Sequence, residues 1–342
     1  MKIGIDISQI VYGTGVSTYT KNLVENLLRI DKKNEYKLFF SSLRQNLPND
    51  FKTENKKAQI KKFPFPPTIL EPLWNKWHWP SVEKFIGPFD IFHSSDWTQP
   101  PTKAKKITTI HDLAVLRYPK TFPQKIVDVQ QRRLEWVKKE IDMIIAVSQA
   151  TKKDIVELLS IPEEKIQVIY EAVGEDFQPQ PLAKVEKIKK KYQLKEDYLL
   201  AFSGPARKNL ERIKKACQGF NLFIIGEPYI PQEDLPSLYS GAQCLVYASL
   251  YEGFGLPVLE AMACGCPVLT SNVSSLPEVT GQAGLLVDPL DVEEIARGIN
   301  EITNNKEKRE ELIKKGFAQV KKFSWDKTAR ETLKIYEAAA KR

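Results

Sequence analysis

Two glutamates, Glu252 and Glu260, bracket a glycine-rich turn, Gly253-Phe254-Gly255, that runs into Leu256-Pro257-Val258-Leu259 and stops at Cys264-Gly265. Pro257 suits the first helical position, where a missing N–H costs nothing, and Gly265 with Pro267 two residues later supplies the stop. The expected element is a short helix entered from a loop. Its glycines let backbone approach a ligand closely, and the N–H groups of residues 254–258 would face an anion at the positive end of the helix dipole. A diphosphate is the natural guest. Glu252 in the loop and Glu260 in the first helical turn are acceptor-only groups, suited to gripping hydroxyls on either side of it. Diphosphate flanked by carboxylates that bind hydroxyls describes a nucleotide sugar. An ordinary capped helix with acidic residues in its first turn carries the same residues, because the dipole favours them too.

Arg207-Lys208-Asn209 offers the complementary charge. These residues follow the strand-like run 198–202 through Ser203-Gly204-Pro205-Ala206, and Asn209 is expected to cap the next helix. Two cations at a helix N-terminus are unfavourable unless an anion reverses the sign; Arg can fork onto two phosphate oxygens and Lys acts as a point charge. A solvated basic turn is the plain alternative. In the first half, His111 and Asp112 end a strand, from where they can reach a site at its carboxyl edge. Gly13-Thr14-Gly15 lies in the loop 9–16, between the first strand and a helix expected over 17–28; Gly-x-Gly alone is weak evidence. Ser148 reads as a helix cap. Trp74, Trp77 and Trp79, with Phe63 and Phe65, suit packing or an acceptor loop, and the prolines among them make a poor membrane helix. Arg132, Arg133, Lys138 and Lys139, on a helix over 124–139, read as solvated charge or a face for anionic lipid.

These groups need elements to hold them. Apolar runs alternate with amphipathic stretches throughout, the sign of parallel sheets covered by helices, so the fold class is α/β. Strands are expected at 2–7, 36–40, 91–93, 107–111, 143–147 and 167–170, then at 198–202, 222–225, 244–247, 267–270 and 284–287. Every motif lies just after one of them. The chain has 342 residues, 42% hydrophobic and 27% charged, which fits two globular domains. The segment 174–193, with Pro179, Pro181 and a lysine-dense helix at 184–191, separates them. No apolar run approaches a membrane span and no signal pattern follows Met1, so the expected location is cytoplasmic. Cys217, Cys244, Cys264 and Cys266 read as buried thiols, since no second pair stands at metal spacing. The net charge of +8 is compatible with a phosphorylated substrate or with peripheral contact to the inner face of a membrane. No Asp-x-Asp pair is available to hold a metal on phosphate.

The segment 249–257, continued through Ser275-Leu276-Pro277-Glu278 to Val287-Asp288-Pro289, resembles the E-x7-E motif of retaining GT-B glycosyltransferases, in particular glycosyltransferase family 4. Weaker similarity covers nearly the whole chain. The resemblance implies two Rossmann-like domains facing across a cleft: an acceptor-binding domain at 1–174, a nucleotide-sugar-binding domain at 175–324, and a last helix, 325–342, crossing back to the first. It implies that Glu252 contacts the transferred sugar, that Glu260 contacts the ribose, that Lys208 binds diphosphate, and that His111 contacts the sugar; Arg207 is expected beside Lys208 on the diphosphate from its own forked charge. Gly253, Phe254, Gly255 and Leu256 would lie on the donor, with Gly15 and Thr14 beside its phosphate. The implied reaction is metal-independent hexosyl transfer, mannosyl above others, from GDP-mannose or a UDP-sugar to a glycan or lipid-linked acceptor, with no cofactor. Two departures stand out. Ser203 or Gly204 occupies the place of a further Arg, and the stretch between Lys208 and Glu252 is shorter by about one strand and helix, a unit of a dozen or more residues. The second domain is therefore expected to be shortened around the nucleobase. A GT-B pseudoenzyme, binding sugar nucleotide or a partner, is the competing expectation.

Overall fold

Runs such as Met143–Ala146 and Cys244–Tyr247 are buried along their whole length, which requires cover on both faces of a sheet. The computed structural model describes residues 1–341 apart from 52, 54 and 56. It contains two wholly parallel sheets. The first comprises β1 (Lys2–Asp6), β2 (Glu35–Ser41), β3 (Ala58–Phe63), β4 (Ile91–Ser94), β5 (Lys105–Ile110), β6 (Met143–Ala146) and β7 (Ile166–Val168), in the order β3-β2-β1-β4-β5-β6-β7. The second comprises β8 (Leu199–Phe202), β9 (Leu222–Ile225), β10 (Cys244–Tyr247), β11 (Val268–Ser271) and β12 (Leu285–Val287), in the order β12-β11-β10-β8-β9. The chain divides into two compact units: Met1–Glu171 together with the chain from Trp325 onward, and Ala172–Ser324.

The strand β3 has no counterpart among the strands expected from sequence. It pairs with β2 at the sheet edge, with Lys61 opposite Phe39 and Lys62 opposite Phe40, and most of it is exposed or half-buried. Lysines on an edge strand discourage pairing with other chains, and they also erase the apolar pattern that marks interior strands. Phe63 and Phe65 nonetheless turn inward against Phe39, Trp74 and Phe85. Trp74 is fully buried, whereas Trp77 and Trp79 are 63% and 70% exposed.

Strand order locates each unit's binding edge. In the first sheet the connections run outward in both directions from β1 and β4; in the second, β8 lies between β9 and β10. Each is a topological switch point, where the loops after the two central strands diverge and leave a crevice at the carboxyl edge. The helix Trp325–Lys341 packs on the helix Gly15–Ile30, where Arg29 Nη2 meets Asp326 Oδ1 at 2.8 Å. The final helix thus belongs to the first unit.

The arginines of the helix Gln124–Glu140 correct an expectation. Arg133 is 1% exposed, donating to Thr108 Oγ1 at 2.8 Å and pairing with Asp96 Oδ1 at 3.3 Å, and Arg132 pairs with Glu71 Oε1 at 2.8 Å. Arg133 is therefore not a solvated charge, while Arg132, half-exposed, stays in contact with solvent beside its carboxylate. A guanidinium enters an interior only when a carboxylate and hydroxyl acceptors meet it, and partners this distant in sequence leave no local trace. All four cysteines are buried free thiols. Among the described residues no helix is long and apolar enough to cross a membrane.

Candidate active site

In the second unit, the loops after β8 and β10 flank the switch point and meet there. Lys208 ends a short 3-10 turn, Ala206–Lys208, and its Nζ donates to Glu252 Oε1 at 2.8 Å and to Tyr247 Oη at 2.6 Å, lying 4.8 Å from the centre of the Tyr247 ring. The Leu250 N–H donates to the Arg207 carbonyl at 2.7 Å, tying the two loops together. Asn209 stands at the expected cap position, yet its side chain does not cap. It adopts φ +62° and donates from Nδ2 to the carbonyls of Ala248 and Pro289, at 2.9 and 2.6 Å. The residue after the cation pair therefore pins the loop that leads to Glu252.

The glycine turn differs in detail from its expectation. Gly255 is the cap, at φ +104°, and a Cβ there would meet Leu276 Cδ2 at 2.8 Å. With the cap at Gly255 the helix is Leu256–Ala263, so Pro257 is its second residue rather than its first and Glu260 lies in the second turn. The Val258 N–H is already taken by the Gly255 carbonyl at 3.0 Å, which leaves Gly255 and Leu256 as the donors of this run suited to an anion. Ser274 and Ser275 hold the turn: Ser275 Oγ donates to the carbonyls of Glu252 and Phe254, at 2.9 and 2.7 Å, and Ser274 Oγ donates to the Glu252 carbonyl at 2.6 Å.

Glu260 accepts from Tyr239 Oη at 3.0 Å. Burial pushes its pKa up to about 7, a rise that the Tyr239 hydrogen bond only partly offsets. A raised acid pKa means that the folded state binds the proton more tightly, so the carboxyl contributes stability below the unfolded value and loses it as pH rises through the folded one. Glu260→Gln is thus expected to melt at a higher temperature than wild type at pH 8 and to converge with it at about pH 4, below the ordinary carboxyl value, checked by thermal melts across that range.

In the first unit, Thr14 caps the helix Gly15–Ile30, with its N–H on Ser17 Oγ at 3.2 Å; the helix begins two residues before the expected start because Thr14 and Ser17 form a reciprocal cap. A Cβ at Gly15 would meet nothing within 4 Å. Gln9, after β1, accepts the Asp96 N–H at 2.9 Å, joining the loops of that unit's switch point. His111, after β5, bonds through Nδ1 to Glu171 Oε1 at 2.9 Å, with the Tyr19 ring edge-on at 4.6 Å. Ser148 caps its helix by accepting from Thr151 N at 2.9 Å, as read from sequence.

Comparison with known proteins gives this geometry a family. The profile described as glycosyl transferases group 1 matches residues 142–319, more than half of the chain, and that described as glycosyltransferase family 4 matches residues 13–177. The chain belongs to this family of glycosyltransferases. The O-antigen chain mannosyltransferase B of Escherichia coli is 30% identical to this glycosyltransferase over 95% of the chain and 96% of the relative. Among solved structures, sucrose-phosphate synthase of Thermosynechococcus elongatus superposes with a TM-score of 0.76 at 19% identity, covering 99% of this chain and 98% of the other. HepE of Anabaena, solved with UDP and glucose, gives 0.70 at 15% identity, covering 99% and 100%. The fold is GT-B, with the C-terminal domain of the glycosyltransferase reduced to five strands.

Within the second unit the structure brings Lys208 and Glu252 together and sets Glu260 on the helix that leaves the same loop. It also supplies Tyr247, Tyr239, Ser274 and Glu171, which no sequence motif singles out. Tyr247 ends its strand beside β8, and only the pairing of β10 with β8 makes that position informative.

Proposed function

We propose that this glycosyltransferase moves a hexose, mannose first among candidates, from a nucleoside-diphosphate sugar to a hydroxyl of a glycan or lipid-linked acceptor, with retention of anomeric configuration and without a divalent ion. The observation that carries the reading is the Lys208 ammonium held between Tyr247 Oη and Glu252 Oε1 at the mouth of a glycine turn. An ammonium positioned in advance stabilises the charge that grows on a departing diphosphate, because no reorganisation is needed as the bond breaks. Arg207 and the N–H groups of Gly255 and Leu256 are assigned to the same anion, in place of a metal. Gly253 and Phe254 line the turn.

On donor binding, Lys208 turns part of its charge to phosphate and Glu252 becomes available to a sugar hydroxyl. Glu260, on the helix behind, takes the ribose hydroxyls, and His111 with Thr14 and Gly15 serves the same transfer from the first unit. The acceptor hydroxyl attacks on the face the diphosphate leaves, and its proton passes to the leaving oxygen. The preference for mannose leans on the activity named for the Escherichia coli relative. HepE was solved with UDP and glucose, so UDP-sugars stand beside GDP-mannose as donors to test.

The test is nucleoside diphosphate release from a panel of nucleotide sugars, with glycan and lipid-linked acceptors and with chelator present. One donor is expected to turn over in chelator and to give a product of unchanged anomeric configuration. Silence with every donor and acceptor would sink the transfer reading in favour of a binding subunit, and dependence on added divalent ion would remove the metal-free step.

A further inference from the structure

The chain has three histidines, and their hydrogen bonds sort them. His93 is satisfied on both nitrogens, with Nδ1 at 2.7 Å from Tyr336 Oη and Nε2 at 3.0 Å from Thr109 Oγ1. His78 is satisfied as well, on the Trp74 carbonyl at 2.9 Å and Glu140 Oε2 at 3.2 Å. His111 differs. Its Nδ1 is engaged by Glu171 at 2.9 Å, while its Nε2 is buried with no hydrogen-bond partner among the described residues. A buried polar atom left open in this way is uncommon and calls for an explanation.

The ring is not free to turn away. Tyr19 meets it edge-on, and the Tyr19 hydroxyl is hydrogen-bonded to Thr109 Oγ1 at 3.0 Å, the atom that also holds His93. Glu171 is itself 4% exposed and follows Tyr170, whose carbonyl accepts Thr328 Oγ1 of the final helix at 2.7 Å. Carboxylate, tyrosine edge and helix therefore hold the imidazole in one orientation.

We propose that Glu171 is a positioning residue for His111: it holds Nδ1–H so that Nε2 is the ring atom offered to a hydroxyl of the transferred sugar. The proposal rests on the glycosyl-transfer reading of His111. A carboxylate that orients an imidazole sets both its tautomer and its basicity, as it does for metal-bound histidines. Burial pulls the His111 pKa down, and the Glu171 carboxylate, seconded by Asp96 and Asp112, more than offsets it, so the ring titrates above its ordinary value. Of the other groups around it, Tyr19 stays protonated and His93 is driven down to about 3, chiefly by burial, so neither titrates in the same range.

Nitrogen-15 spectra of the three imidazoles in the intact chain, with Glu171→Ala and Glu171→Gln beside wild type, decide the matter. Wild-type His111 should carry its neutral-form proton on Nδ1 and titrate above an ordinary histidine. Glu171→Ala should move that titration to lower pH and mix the tautomers. Glu171→Gln, which keeps an acceptor and the side-chain volume, should lower the titration while keeping the tautomer. In donor turnover, Glu171→Ala should lose roughly 10- to 100-fold in kcat/KM, the usual cost of removing an orienting partner. The double variant with His111→Ala should lose little more than His111→Ala alone. Unchanged spectra in both Glu171 variants, or fully additive kinetic losses, would overturn the assignment. A wild type that turns over no donor would defeat the transfer reading instead, and the spectra would still show whether Glu171 sets the His111 tautomer.

Discussion

Glu252→Gln is expected to lower donor turnover by about 100-fold or more while leaving the melting temperature within a few degrees of wild type, a loss of the size that follows from deleting one preorganised group aimed at charge that develops in the transition state. Glutamine keeps the volume and an oxygen that can accept from Lys208, and Lys208 retains Tyr247 Oη at 2.6 Å, so neither side chain is stranded. The backbone of the turn is held separately, by Ser274 and Ser275 on the Glu252 carbonyl, and does not depend on the carboxylate. What the variant lacks is the negative charge that strengthens a hydrogen bond to a sugar hydroxyl as charge develops at the reacting carbon. Steady-state kinetics with a thermal melt checks both parts. Full activity in Glu252→Gln and Glu252→Ala together would remove this residue from the chemistry.

Lys208→Met should cost roughly 10²–10³-fold in kcat, the range seen when one preorganised donor to a developing anion is deleted. Methionine keeps most of the aliphatic stem, which lies against Gly204, and discards only the ammonium. The variant exposes a second effect. With the cation gone, Glu252 faces an arriving phosphate uncompensated, so repulsion adds to the lost attraction. Binding of free nucleoside diphosphate should therefore weaken far more than binding of the nucleoside alone, a contrast that calorimetry can read. Equal losses for the two ligands would show that Lys208 supports the pocket and does not grip phosphate.

Much of the second unit's site is legible in the amino-acid sequence, because its signals are local. A glycine that must adopt positive φ, a proline near a helix start and a glycine at its end are constraints written within a dozen residues, and they locate the turn at 253–255 with its helix. The differences there amount to one residue: the cap falls on Gly255, which moves Pro257 to the second position and Glu260 into the second turn. Asn209 shows a different limit. Its type and position suit a cap, but two carbonyls brought from Ala248 and Pro289 compete for its amide and win. Arg133 departs from its expected solvated state for the same reason, since Asp96 and Thr108 reach it from elsewhere in the first unit.

The amino-acid sequence by itself determined that this chain would build two parallel sheets, because buried runs bounded by amphipathic helices admit few other solutions, and it determined where backbone could cradle an anion. Only the tertiary structure decided which side chains meet within each unit. Lys208 and Glu252 meet because β8 and β10 pair side by side, His111 meets Glu171 because β6 alone separates β5 from β7, and the Glu260 carboxyl titrates above its ordinary range because burial disfavours its charge. Helix starts and turns follow from neighbours along the chain; ion pairs, burial and proton affinity follow from neighbours across it, and those exist only once the strands have taken their order.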